Sequence, residues 1–224
     1  TLDPSRETVT LATYPKGVRV TRLMLINDEL GAFGDFAGMI GRRVLDFENA
    51  TAFSIVNAGS GAGPNLADGN AVFTTARGNR ASAGGAIDLT TLSTARAALR
   101  ARTSPDGIKL NLAPRYLLTG PSYETIAWQF ASAQYVPATA STANPFRGVY
   151  EPLVDANISG NAWYLFADPA AAPVYIYGFL NGAEGPQVRT TNPPSSDGAV
   201  QLDVWLDFAC GAIDWRGGQF NAGG

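Results

Sequence analysis

Between Phe36 and Asn57 the apolar residues fall at helical spacing. Phe36, Ile40, Val44, Phe47, Thr51 and Ile55 recur at steps of three or four, which is one stripe of an amphipathic helix. Asp35, Arg42, Arg43, Asp46, Glu48 and Asn49 fall largely off the stripe. Such a helix is roughly 30 Å long at 1.5 Å per residue. That is long for a chain of 224 residues and predicts a spine for the fold. A helix of this length is foreign to an all-β module, so the β-rich segments around it make the chain α+β.

Residues 8 to 26 read as a β-hairpin. Val9 and Leu11 alternate with polar neighbours, and Val18, Val20, Met24 and Ile26 lie on one face of a second arm that Arg22 interrupts. Tyr14-Pro15-Lys16-Gly17 places Pro and Gly where a type I turn favours them. An isolated hairpin is marginal in water, so this one needs a partner surface. Deleting Thr13 to Arg19 is expected to leave a foldable subunit with an impaired contact.

After the long helix, Ala58 to Asn70 is rich in Gly and Ala and reads as a flexible surface loop. Its Gly-Ser-Gly-Ala-Gly lacks the Lys-Ser/Thr of a phosphate loop. Asp88 or Thr90 caps a short helix through Leu92, Ala95 and Leu99, with Arg96, Arg100 and Arg102 on other faces as a solvated face or for inter-subunit ion pairs. Arg115 to Thr119 reads as a buried strand, and Pro121 opens a helix to about Ala133. Strands are expected over 149–158, 162–166 and 174–180, then a long loop from Asn181 to Gly198. In the last strand Leu202, Val204, Leu206 and Phe208 alternate with Gln201, Asp203, Trp205 and Asp207.

Composition removes most catalytic chemistry. There is no histidine, hence no Ser-His or Cys-His pair and no imidazole metal site. Cys210 is the single cysteine and reads as a small core residue. Neither lysine, Lys16 or Lys109, stands in Ser-x-x-Lys. No calcium-loop spacing is present, so no metal or cofactor is expected. The net charge is −3, and no run of cations exceeds Arg42-Arg43, against tight phosphate binding. No segment reads as a membrane span. Asp203 and Asp207 stand about 13 Å apart along a strand, too far for a glycosidase pair. Trp205 between them is a sugar-stacking platform or an interface anchor. The chain begins at Thr1 rather than Met, which reads as a processed or trimmed boundary; a Thr1 hydrolase would need a free amino terminus. The remaining alternative is a secreted or surface carbohydrate-binding module using Trp163, Tyr164, Tyr175, Tyr177, Trp205 and Trp215.

Several segments carry a family resemblance: Glu7 to Phe33 (ETVTLATYPKGVRVTRLMLINDELGAF), Asp106 to Thr125 (DGIKLNLAPRYLLTGPSYET), Asn161 to Pro173 (NAWYLFADPAAAP) and Leu206 to Gly217 (LDFACGAIDWRG). In this order they resemble the major capsid protein of tailed bacteriophages, of the Mu-like major head subunit type, often encoded fused to a prohead protease.

The resemblance implies the HK97-like fold, with an extended β-hairpin (the E-loop), a spine helix, a peripheral domain and an axial domain. On that basis residues 1–7 are the remnant of an N-terminal arm, and 8–27 the E-loop hairpin. Residues 28–109 and 198–224 are the peripheral domain, and 110–197 the axial domain. Tyr14, Pro15, Lys16 and Gly17 become the E-loop tip at an assembly interface, and Arg42, Arg43, Asp203, Trp205 and Asp207 further interface residues. Lys16 stands where some shells of this fold carry a cross-linking lysine. The implied function is non-enzymatic self-assembly, through hexameric and pentameric capsomers, into an icosahedral or prolate shell in the virion. The implied partners are copies of the chain and scaffolding, portal and decoration proteins. The shell would enclose double-stranded DNA without sequence-specific binding.

Overall fold

The computed structural model describes residues 7–27, 36–132, 145–183, 185–191 and 198–224. The expectations for Thr1 to Arg6, for Asp35 and for the helix end at Ala133 lie outside them, as does the Phe36 side chain. Contacts divide the chain into two units. One holds Thr1–Thr8, Phe53–Ile176 and Gly211–Gly224; the other holds Val9–Ala52 and Tyr177–Cys210. These boundaries differ from the expected 28–109 with 198–224 and 110–197.

The larger unit is built on a four-stranded sheet in the order β3-β2-β4-β8. The strands are β2 (Pro114–Thr119), β3 (Glu151–Val154), β4 (Trp163–Ala167) and β8 (Gly218–Asn221). β3 runs parallel to β2, and β4 antiparallel to both β2 and β8. Both faces are covered, so β4 is apolar at every position. Leu117, Trp163 and Leu165 pack with Leu92, Ala95, Tyr123, Ala127 and Phe130 of one core cluster. Leu118, Tyr164 and Phe220 face the other way, onto Val72, Phe73, Ile158 and Val174.

Two helices serve the first cluster. In α3 (Leu89–Arg100), Asp88 accepts from the Thr91 backbone N–H at 2.7 Å. The Thr91 hydroxyl accepts from the Asp88 N–H in return. This reciprocal cap selects Asp88 over Thr90 as the start. Pro121–Tyr123 forms a 3-10 turn that leads into α4 (Glu124–Ala131).

Three expectations fail in this unit. The Ala58 to Asn70 segment is not a surface loop throughout, because Gly61, Ala62, Gly63 and Leu66 are buried. Positive φ at Gly61 lets the backbone pass against Phe220 and Tyr164. Arg102 is not on a solvated face. It is 5% exposed, with its guanidinium against the Trp215 ring and Gln219. Trp163 and Tyr164, offered as sugar platforms, are fully buried. The Trp163 indole N–H donates to the Gly85 carbonyl at 2.9 Å instead.

The smaller unit carries β1 (Ala12–Val20), α1 (Arg22–Ile26) and β6 (Gln187–Thr191). It also holds most of α2 (Phe36–Val56), β5 (Tyr175–Phe179) and β7 (Val200–Ala212). β7 is central; β1 pairs antiparallel with it from Ala12↔Phe208 to Val20↔Val200, and β6 from Gln187↔Trp205 to Thr191↔Gln201.

The expected hairpin is therefore absent. Tyr14 to Gly17 is no turn but the middle of one continuous strand, and the expected second arm becomes α1, capped by Thr21. A full nine-residue register with β7 outweighs a local turn preference. Pro15 is tolerated because β1 is an edge strand. The expected loop from Asn181 to Gly198 contains β6; residues 184 and 192–197 lie outside the description. The spine helix forms as read, but its stripe is only half-covered: Ile40, Val44, Thr51 and Ile55 are partly buried and Phe47 is 39% exposed. No described helix is long and apolar enough to cross a membrane.

Candidate assembly surface

The β1/β7 register sorts the expected interface residues onto two faces. Side chains alternate along each strand. Tyr14, Lys16 and Val18 therefore share a face with Leu206, Val204 and Leu202. Thr13, Pro15 and Gly17 share the other with Asp207, Trp205 and Asp203.

The first face lines an apolar cleft of about 670 Å3. Tyr14, Val18, Val204 and Leu206 come from the sheet, and Met39, Ile40, Val44 and Phe47 from α2. Three rings gather here: Tyr14 lies 4.9 Å edge-on from Phe47 and 5.4 Å from Phe208, and Phe47 lies 6.2 Å from Phe208. Among the described residues, the ionisable ones lining the cleft besides the Tyr14 phenol are Lys16 and Arg43, both cationic. Arg43 stands 4.0 Å from Asp46 in a solvent-exposed pair, which contributes little. Arg42 is exposed and does not line the cleft.

The second face is polar around one aromatic. Trp205 is flanked across the strands by Pro15 and Gln187. The Thr13 hydroxyl donates to Asp207, and the Gln201 amide donates to Asp203 at 2.8 Å. Each carboxylate thus has its own neutral donor, and no short carboxylate pair is formed. Cys210 is half-buried, and burial raises its pKa, which keeps it a thiol rather than a nucleophilic thiolate.

The structure brings Tyr14 to Gly17 together with Asp203, Trp205 and Asp207, which the sequence had placed apart. The cleft itself was not read from the sequence. The signal was the spacing of Tyr14, Lys16 and Val18, which continues a period-2 pattern through the supposed turn. Among the described residues no group of acidic, Cys or His side chains is arranged to hold a metal. A shallower apolar depression of about 310 Å3 lies in the larger unit, walled by Tyr116, Leu153, Phe166, Pro173 and Tyr175.

No curated protein compared with the chain matches it. Solved structures with the same fold do. A structure from Microbacterium phage Oxtober96 aligns with a TM-score of 0.59 at 12% identity, covering 95% of this chain and 72% of that one. The SrpI encapsulin of Synechococcus elongatus gives 0.60 at 13% identity, covering 95% and 74%. The capsid of an empty GTA particle gives 0.56 at 13%, covering 95% and 73%. These likenesses give the HK97-like fold. The family model described as phage capsid protein matches residues 6–221. The chain therefore belongs to the phage capsid protein family, and it is a major capsid protein, a subunit of the multimeric virion shell.

Proposed function

We propose that this subunit builds hexameric and pentameric capsomers of an icosahedral or prolate shell around double-stranded DNA, and that its role is structural rather than enzymatic. The observation that carries this reading is the open cleft on the smaller unit. A lone subunit leaves Met39 and Phe47 on the α2 wall of the cleft exposed, and apolar surface of this kind marks a contact surface. In this reading the smaller unit is the peripheral domain and the larger unit the axial domain. Tyr14 to Gly17, Arg42, Arg43, Asp203, Trp205 and Asp207 are its interface residues, contributed from the sheet rather than from a hairpin tip. The order of the sequence segments supports a Mu-like head subunit type. Scaffolding, portal and decoration proteins are the further partners. A net charge of −3 suits a wall that confines DNA without gripping its phosphates.

Light scattering with negative-stain imaging of the purified protein tests the proposal. Closed shells with fivefold and sixfold capsomers are the expected result. A chain that stays monomeric at every salt and protein concentration, with or without scaffold, would overturn it.

A further inference from the structure

The capsomer reading leaves open what covers the cleft, and the charges on the chain single out one surface. Both cleft cations, Lys16 and Arg43, lie beside apolar walls, so the matching surface needs a large exposed apolar side chain next to a free carboxylate. Several exposed apolar residues fail this test. Ile108 neighbours Asp106, which already has a partner. Leu153 neighbours Glu151, which is 4.0 Å from Arg115. Leu23 and Ile26 follow Arg22, the same sign as the cleft.

Helix α4 passes. Trp128 is 54% exposed, although its neighbours Ala127 and Phe130 are buried. Glu124, also exposed, stands four residues earlier and so on the same helix face. No hydrogen bond or ion pair engages the Glu124 carboxylate within the described residues, and its backbone N–H donates to the Pro121 carbonyl. Tryptophan is the residue type most often found as an interface anchor in a pocket.

We propose that the cleft of one copy receives Trp128 of a second copy, with Glu124 of that copy meeting Lys16 and Arg43. The inference rests on the capsomer reading. It adds a direction: the contact joins unlike surfaces, α4 on one copy and the β1/α2/β7 cleft on the next. Head-to-tail contacts of this type generate rings when the rotation closes.

The test measures the protein concentration for half-assembly at low salt. It compares the full chain with Trp128→Ala, Glu124→Lys and the double variant Lys16→Glu/Arg43→Glu. All four positions are exposed, so circular dichroism and the thermal midpoint should stay unchanged. Trp128→Ala should raise the half-assembly concentration about thirtyfold, the loss of an interface hot spot. Glu124→Lys and the cleft double variant should each weaken assembly, and combining them in one chain should restore it to within about threefold. If the unaltered chain assembles and Trp128→Ala assembles equally well, the inference fails and the capsomer reading stands. Weakening without rescue by the charge swap overturns the pairing. So does an effect confined to the cleft variants, which would assign the cleft to a different acidic partner. An unaltered chain that never assembles overturns both readings.

Discussion

The Arg102 guanidinium donates from Nη2 to the Gln219 side-chain oxygen at 2.9 Å, joining the residue after the α3 C-cap to strand β8 inside the core. Each residue is 5% exposed. Three guanidinium carbons, those of Arg77, Arg102 and Arg216, stand 5.2, 5.3 and 5.1 Å from the Trp215 ring centre. Burial lowers the Arg102 pKa to about 10; Asp214 opposes the shift and Arg216 adds to it. Arg102 remains charged at neutral pH, held by the indole face, the Gln219 oxygen and the Arg77 carbonyl.

Arg102→Met keeps the volume but leaves the buried Gln219 oxygen without its donor. The expected cost is about 2 kcal/mol, read from urea unfolding. The pH dependence has a definite sign. Arg102 is protonated in both folded and unfolded chains below about pH 9, so it adds no slope there. Between the folded pKa and the higher unfolded value, the unfolded chain binds more protons. Stability contributed by this site therefore rises with pH only above about 10. The Met variant should lack that alkaline rise.

Gly61→Ala tests the buried 58–70 segment. Gly61 has φ +86°, and a Cβ there would come within 2.8 Å of the Phe220 ring and the Tyr164 hydroxyl. Left-handed backbone and overpacking together should cost about 3 kcal/mol. Gly69 has φ +80° but nothing within 4 Å of an added Cβ, so Gly69→Ala should cost only about 1 kcal/mol. Equal losses in chemical denaturation would show that the segment is not packed as described.

Asp68 and Asp168 govern the acid limb. The Asp168 carboxylate accepts from the Ala170 N–H at 2.9 Å and from Arg115, and these hydrogen bonds hold it below its ordinary pKa. Asp68 is held down likewise, by the Asn70 N–H at 3.0 Å and by Arg77. A carboxyl with a depressed folded pKa stabilises above its unfolded value, near 3.9. That contribution is lost as pH falls through the folded pKa. Asp68→Asn/Asp168→Asn should give a shallower loss of stability between about pH 5 and pH 2, measured by thermal melts at stepped pH.

Deleting Thr13 to Arg19 distinguishes a strand from a projecting arm. The segment pairs with Asp207 through Gln201, so its removal opens one whole edge of β7. Amide exchange in β7 should accelerate sharply while β2 and β4 keep their protection. Unchanged exchange in β7 would restore the hairpin reading of this segment.

The legible parts of this protein were those whose burial has a period. The α2 stripe, the α3 helix, the Arg115 to Thr119 strand and the alternation from Leu202 to Phe208 could all be read directly. In α2, α3 and the last strand one face is apolar and its spacing declares the element, whereas Arg115 to Thr119 declares itself as a short apolar run. The pairing of Tyr14 to Gly17 with residues 203–206 was not legible.

Three features depended on partners far away in the chain. Tyr14-Pro15-Lys16-Gly17 has the local chemistry of a turn, and only pairing with residues 203–206 makes it a strand. β8, Gly-Gln-Phe-Asn, has no alternation to read and exists because β4 needs a neighbour on its open edge. Arg102 looked like one more cation on a helix surface until Trp215 and Gln219 came to cover it. Sequence by itself determined the local periods, hence the α+β class and the helices α2, α3 and α4. Register, burial of the Gly-rich segment and the cleft were decided by tertiary structure, because contacts between distant residues can outweigh a local preference worth only about 1 kcal/mol.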